Sequence, residues 1–159
     1  MEQKRLELYT VSMKYIRNLQ KKGDDRVFSV SPQIGKATRP FIGIVVIFNE
    51  KQYCIPLSSP KAKHETMKND VDFHRIIDED GKLIAVLDLN NMIPVREDVL
   101  RRIDIKKYAG DDAIMRHYKD LLGNQLNYCR KHQDIIVAKA NKLYRLVGKK
   151  NISSHLKHL

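Results

Sequence analysis

The segment FIGIVVIF at 41–48 constrains the fold most, because its density of β-branched side chains makes a helix uncomfortable and a strand natural. Asn49, Glu50 and Lys51 make a short reversal before QYCIPL, so 41–48 and 52–57 read as a hairpin. A second pair follows around the acidic turn DEDG, with FHRII before it and KLIAVLDL after it. NMIPV adds one more strand at a sheet edge, where Pro94 costs no ladder bond. Upstream, LELYTVS at 6–12 alternates well enough for a first strand. Ser12 can then cap a short helix with Met13, Ile16 and Leu19 on one face, ended by Lys21 to Asp25.

After Tyr108 the period changes. Asp111 or Asp112 can cap a helix in which Met115, Tyr118, Leu122, Leu126 and Cys129 recur at helical spacing, slightly weakened by Gly123. A break near His132 and Gln133 precedes a last helix. It carries Ile136, Ala140, Leu143 and Val147 on one side, Lys139, Lys142 and Arg145 on the other, and Gly148 as its stop. Strands first and helices later, without βαβ alternation, predict the α+β class: a single domain in which helices cover an antiparallel sheet. At 159 residues and 42% apolar composition the chain can bury one such core. Residues 1–150 are expected to form the domain, with NISSHLKHL at 151–159 as a loosely held tail.

Charge narrows the function. Thirty Lys and Arg face nineteen Asp and Glu, a net +11, which points to a polyanionic partner or, more blandly, to a soluble basic protein. The excess is banded: Arg26 to His64 holds six Lys or Arg and one acid, and Arg101 to Leu159 holds fourteen against five. Asp70, Asp72, Asp78, Glu79 and Asp80 form an acidic interval between these bands, as expected if one surface tracks phosphates. Cys54 and Cys129 make no disulfide framework, and no stretch approaches the ~20 apolar residues of a membrane span, so a soluble cytoplasmic protein is expected.

Several chemistries lack their motifs. GKAT at 35–38 ends like a phosphate-binding loop but has Val30 where the first glycine belongs, and no lysine-serine/threonine pair. HETMK at 64–68 opens like a zinc-protease helix, yet Lys68 replaces the second histidine. His155 and His158 have ligand-like spacing without Cys or carboxylate partners nearby, so no metal or other cofactor is expected. What remains is PLSSPKAKH at 56–64. Its serines and proline are ordinary turn chemistry. Hydroxyls beside lysines on a loop held by two strands are equally the parts for cleaving RNA without a metal, since the nucleophile is the substrate's own 2′-OH.

The segments RPFIGIVVIF and KQYCIPLSSPKAKH, with LDLNNMIPV and the early YTVSMKYIRNL, resemble the ToxN-type toxins of bacterial type III toxin–antitoxin systems and their AbiQ-like relatives, from about Leu8 to Val147. The resemblance implies a sequence-specific, metal-independent endoribonuclease that leaves 2′,3′-cyclic phosphate and 5′-OH ends. It implies a strongly twisted antiparallel sheet with packed helices, similar to the Kid and MazF toxins. The implied antitoxin is a pseudoknot RNA, processed from a repeat precursor and bound in a closed ring of three proteins and three RNAs. Cellular RNA would be the other substrate. The alternative is a basic nucleic-acid-binding module without catalysis.

Position by position, the resemblance puts Ser59 and Lys61 on the family's serine and lysine of the S-P-K turn, Ser58 on a common threonine, and Arg39 on a lysine that approaches the scissile phosphate. Lys63 stands where the family's pattern admits an aromatic residue, and Gly35 replaces a tyrosine. A lysine ammonium is a poor base at neutrality, so Lys61 suits neutralisation of the phosphorane better than proton removal. His64 is either a group for proton transfer or a packed or capping side chain. RNA contacts are expected from Lys14, Arg17, Lys36, Lys63, Arg116, Lys119, Lys139, Lys142 and Arg145.

Overall fold

The computed structural model describes residues 2–21, 39–47, 50–66 and 73–158. Chain order is β1 (Glu7–Val11), α1 (Met13–Lys21), β2 (Phe41–Val46), β3 (Gln52–Ser58), α2 (Ala62–Thr66), β4 (His74–Ile77), β5 (Leu83–Leu87), β6 (Ile93–Pro94), β7 (Leu100–Arg102), α3 (Ala113–Lys131) and α4 (Gln133–His158). Among the described residues the strands form one antiparallel sheet, ordered β4-β5-β3-β2-β1-β7, with β6 also on β3. The expected α+β architecture is the observed one.

β3 is the hub, and its proline explains how it serves three neighbours. One long edge pairs with β2 (Phe41↔Pro56, Ile42↔Ile55). Its other edge pairs first with β6, through Tyr53 and Cys54, and then with β5, through Leu57 and Ser58. Pro56 sits where the partner changes, so its missing N–H costs no bond while its carbonyl still accepts from Asp88 N at 3.1 Å.

Alternation along these strands builds two cores. Ile42, Ile55, Leu57 and Leu87 join Leu122, Leu126, Cys129, Ile136, Ala140 and Leu143 of α3 and α4 on one face. Phe41, Cys54, Ile93 and Val95 pack with Val11 of β1 and Ile16 of α1 on the other. Ser12 caps α1 as expected, accepting from Tyr15 N at 3.3 Å, and Asp112 caps α3, accepting from Met115 N at 2.8 Å.

Two expectations are corrected. Helical backbone runs past Gly148 to His158, because an interior glycine costs only about 1 kcal/mol and no proline follows it. Met115 and Tyr118 are 42% and 38% exposed although their spacing fits the stripe, since the apolar core contacts of α3 begin with Leu121 and Leu122. One strand, β7, was not anticipated from the sequence; it pairs with β1 through Tyr9↔Arg102 and Thr10↔Arg101.

Gly43 lies at the register shift of the β2–β3 pair, and a Cβ there would run into Cys54 Sγ. Gly43→Ala is therefore expected to lower stability by about 1–3 kcal/mol. Adding Cys54→Ala, which removes the obstructing sulfur, recovers part of that loss; urea midpoints of the two single variants and the double variant check the non-additivity.

Candidate active site

Carrying the β2–β3 register two residues beyond Phe41↔Pro56 sets Arg39 directly opposite Ser58, and Leu57 N donating to Pro40 O at 3.1 Å confirms that the pairing continues. On the other edge of β3 the β5 register, carried past Leu57↔Leu87, sets Asp88 opposite Pro56. Directly opposed residues share a face, so Arg39, Ser58 and Asp88 project from three neighbouring strands to one side, that of Cys54, Phe41 and α1.

They meet there. Arg39 Nη2 donates to Ser58 Oγ at 3.0 Å, and Ser58 Oγ donates in turn to Asp88 Oδ2. Arg39 Nη2 lies 3.7 Å from that same carboxylate oxygen, the two side chains being 14% and 20% exposed. Burial lowers the Arg39 pKa from its ordinary value, opposed by the Asp88 charge. Asp88 is fixed at its backbone, its N–H on Pro56 O and its carbonyl accepting from Asn91 N at 2.9 Å, between the fully buried Leu87 and Leu89. Among the site residues, Asp88 is the one sequence reasoning passed over. The signal was an acid inside LDLNN, between two leucines at the end of a strand.

Beyond Ser58 the chain turns outward. Ser59, Pro60, Lys61, Ala62 and Lys63 are exposed. The turn is held from beneath by His64, which is buried, stacks on Phe73 at 5.4 Å and accepts from Lys61 N through Nδ1 at 2.8 Å. His64 N donates back to Lys61 O at 2.9 Å, closing the turn, so the imidazole supplies the side-chain-to-amide half of a capping box. His64 thus both packs and caps, and its Nδ1 lone pair is committed to the Lys61 amide.

The expected RNA-contact residues divide. Lys14 and Arg17 are exposed on α1, on the same side of the sheet as Arg39 and Ser58. Lys142 and Arg145 are exposed on α4, on the opposite side. Lys36, like Gly35, lies outside the described residues. Arg116 and Lys119 hold the loop before α3. Arg116 donates to Asp111 O and Tyr108 O. Lys119, 10% exposed, pairs with Asp111 at 2.7 Å and lies 4.7 Å over the Tyr108 ring. Lys139 is half-buried with Nζ 2.6 Å from His74 Nδ1.

These geometries describe a class of protein first: a basic α+β domain that gathers cations and hydroxyls where the hub strand of its sheet ends. The chain belongs to the ToxN toxins of type III toxin–antitoxin systems, matching that family over residues 7–158. It is 30% identical over 149 residues to an endoribonuclease ToxN of Bacillus thuringiensis subsp. kurstaki, covering 94% of this chain and 72% of the relative. It is also 30% identical over 145 residues to an endoribonuclease ToxN of Pectobacterium atrosepticum, covering 89% and 81%. Among solved structures it is similar to a component of a bacterial antiviral system regulated by a processed non-coding RNA, with a TM-score of 0.77, 30% identity and coverage of 91% and 87%. A type III system in which a non-coding RNA pseudoknot selectively inhibits the toxin gives 0.71, 28% identity and coverage of 89% and 79%. AbiQ, a lactococcal anti-phage endoribonuclease, gives 0.71, 25% identity and coverage of 89% and 82%.

The Lys139 contact carries a pH dependence. A lysine ammonium only donates, so His74 Nδ1 accepts and Nε2–H donates to Tyr128 OH at 2.8 Å. Burial, then Lys139, His132 and Arg75, push the His74 pKa down from 6.5 to about 4. The unfolded chain therefore binds a proton here before the folded one does. The stabilisation is complete above about pH 6.5 and is lost as pH falls toward 4. Thermal melts of the native protein should lose a few degrees between pH 7 and pH 5, and the His74→Gln profile should be flatter over the same window.

Proposed function

We propose that this chain is a metal-independent endoribonuclease toxin that cleaves RNA by transesterification, and that a pseudoknot RNA antitoxin both inhibits it and is processed by it. The single observation that supports this reading best is an exposed Ser59–Lys61 turn, braced by His64 and adjoining the Arg39–Ser58–Asp88 group, in a chain of the ToxN family. The RNA supplies its own nucleophile. Its 2′-oxygen forms a bond to the adjacent phosphorus, the bond to the 5′-oxygen breaks, and the products end in 2′,3′-cyclic phosphate and 5′-OH.

What remains for the protein is placement and charge. Lys61 neutralises the phosphorane, Ser59 donates its hydroxyl to a phosphate oxygen, and Arg39 adds positive potential from the strand beside them. Ser58 stands one layer back, because its hydroxyl proton is already held by Asp88. His64 acts by holding the turn. Lys63 on the turn, with Lys14 and Arg17 on α1, extends the phosphate-binding surface over the site's side of the sheet, and Lys142 and Arg145 offer a second contact surface across it. The RNA-regulated antiviral system and the pseudoknot-inhibited toxin support an RNA partner for this chain; the reading extends, on the family resemblance, to a closed assembly of three proteins and three RNAs in the cytoplasm. Among the described residues no helix is long and apolar enough to cross a membrane.

Incubation with A-rich RNA in excess EDTA should give discrete fragments with 2′,3′-cyclic phosphate ends. Absence of fragments would favour a binding module, and fragments that require magnesium would favour a metal nuclease. Ser59→Ala and Lys61→Ala should each abolish growth arrest while antitoxin-RNA affinity stays within about tenfold, because an extended interface sums many phosphate contacts. A collapse of affinity instead would make the turn an anchor.

A further inference from the structure

The LDLNN segment has no role in the chemistry so far, although its aspartate touches the site. We infer that Asp88 is a positioning residue of the cleavage reaction, fixing Ser58 as a hydrogen-bond acceptor and thereby setting where Arg39 presents its charge; this rests on the endoribonuclease reading above.

Serine alone would not aim Arg39. Its hydroxyl rotates freely and can donate to the guanidinium's competitors, to water or to RNA. With its proton given to Asp88 Oδ2, Ser58 Oγ keeps only acceptor capacity, and Arg39 Nη2 occupies it at 3.0 Å. The carboxylate holds the same guanidinium nitrogen from 3.7 Å. One end of the fork is thus fixed by two partners, and the arginine cannot swing away from the strand end that bears Ser59. The carboxylate can do this because its backbone is itself immobile, tied to Pro56 and Asn91 and flanked by two leucines sealed in the core. Misplacing a catalytic cation by about 1 Å costs of the order of 10²-fold in rate, so a residue that only aims Arg39 has kinetic weight.

The sign of its charge separates aiming from binding. Asp88 subtracts positive potential from the site, so its removal should not weaken the hold on a polyanion. In Asp88→Asn, single-turnover cleavage of an A-rich RNA at saturating enzyme should slow about 100-fold. Affinity for the 2′-O-methyl form of the same RNA should be unchanged or tighter. Ser58→Ala should slow cleavage comparably, and the double variant should be no slower than the slower single variant, because one change removes the charge that anchors the chain of contacts and the other removes its middle link. Should Asp88→Asn not fold, Ser58→Thr against Ser58→Ala carries the test, since only the hydroxyl-bearing variant keeps the link to Asp88 and the wild-type rate. Multiplicative losses in the double variant, an unchanged rate in Asp88→Asn, weakened RNA binding with the rate intact, or equal rates for Ser58→Thr and Ser58→Ala would each overturn the assignment while leaving the ribonuclease reading standing. A wild-type protein that cleaves no RNA would overturn both.

Discussion

The pairing of β2 with β3 is the constraint on which the site depends. Its register sets Arg39 opposite Ser58, and the same strand, on its far edge, sets Asp88 diagonal to that serine. A slip of one residue on either side would turn one member of the group to the opposite face, where α3 and α4 bury their leucines. The register is held by apolar side chains that must be inside, Ile42 and Ile55 on one face and Phe41 and Cys54 on the other. The close approach of Gly43 to Cys54 strengthens that hold. The chemistry at the strand end is therefore positioned by hydrophobic burial several residues away.

The electrostatics of the group favour positioning over stability. At 3.7 Å an ion pair in a partly screened setting is attracted by about 4 kcal/mol before desolvation. Burial of Arg39 works against that attraction, as the lowered pKa of its guanidinium shows. Desolvation is the larger of the two influences on Arg39, so the pair adds little net stability. What it retains is direction: on the proposed reading, Arg39 is a cation kept in one place while RNA arrives and leaves. The His64 brace works the same way on the neighbouring turn, where one ring nitrogen fixes the Lys61 backbone and leaves the exposed side chain to the solvent.

The strands of the β2–β3 and β4–β5 hairpins were legible because β-branched runs bounded by polar turns have no better conformation. The S-P-K turn was legible because its residue types are unusual together. Asp88 was not, because its meaning lies in register: only when β5 is laid beside β3 does an acid within LDLNN meet a serine thirty positions earlier. β7 escaped for a related reason, since a three-residue strand ending in two exposed arginines has no signature apart from the β1 backbone it pairs with. Periodicity correctly identified the face of α3 but not where the sheet beneath it ends, which is why Met115 and Tyr118 lie exposed.

Several of the cations counted in the sequence have partners within the fold. Lys119 is committed to Asp111, Lys107 to Asp120 and Arg130 to Glu7, while Arg116 is bound to two carbonyls of the loop before α3. Lys139 faces a buried histidine. Cations already paired within the fold release fewer counterions when a phosphate approaches, so they contribute less to binding than their number in the sequence suggests. The exposed cations of the Lys61–Lys63 turn and of α1 are arranged differently, standing on the site's side of the sheet and drawn from segments far apart in the chain. On the proposed reading, a polyanion that neutralises them lies across the strand end that carries Ser59. Binding strength and alignment of the scissile bond are on this account properties of one surface, and an RNA able to cover that surface without presenting a cleavable linkage would be an inhibitor by geometry alone.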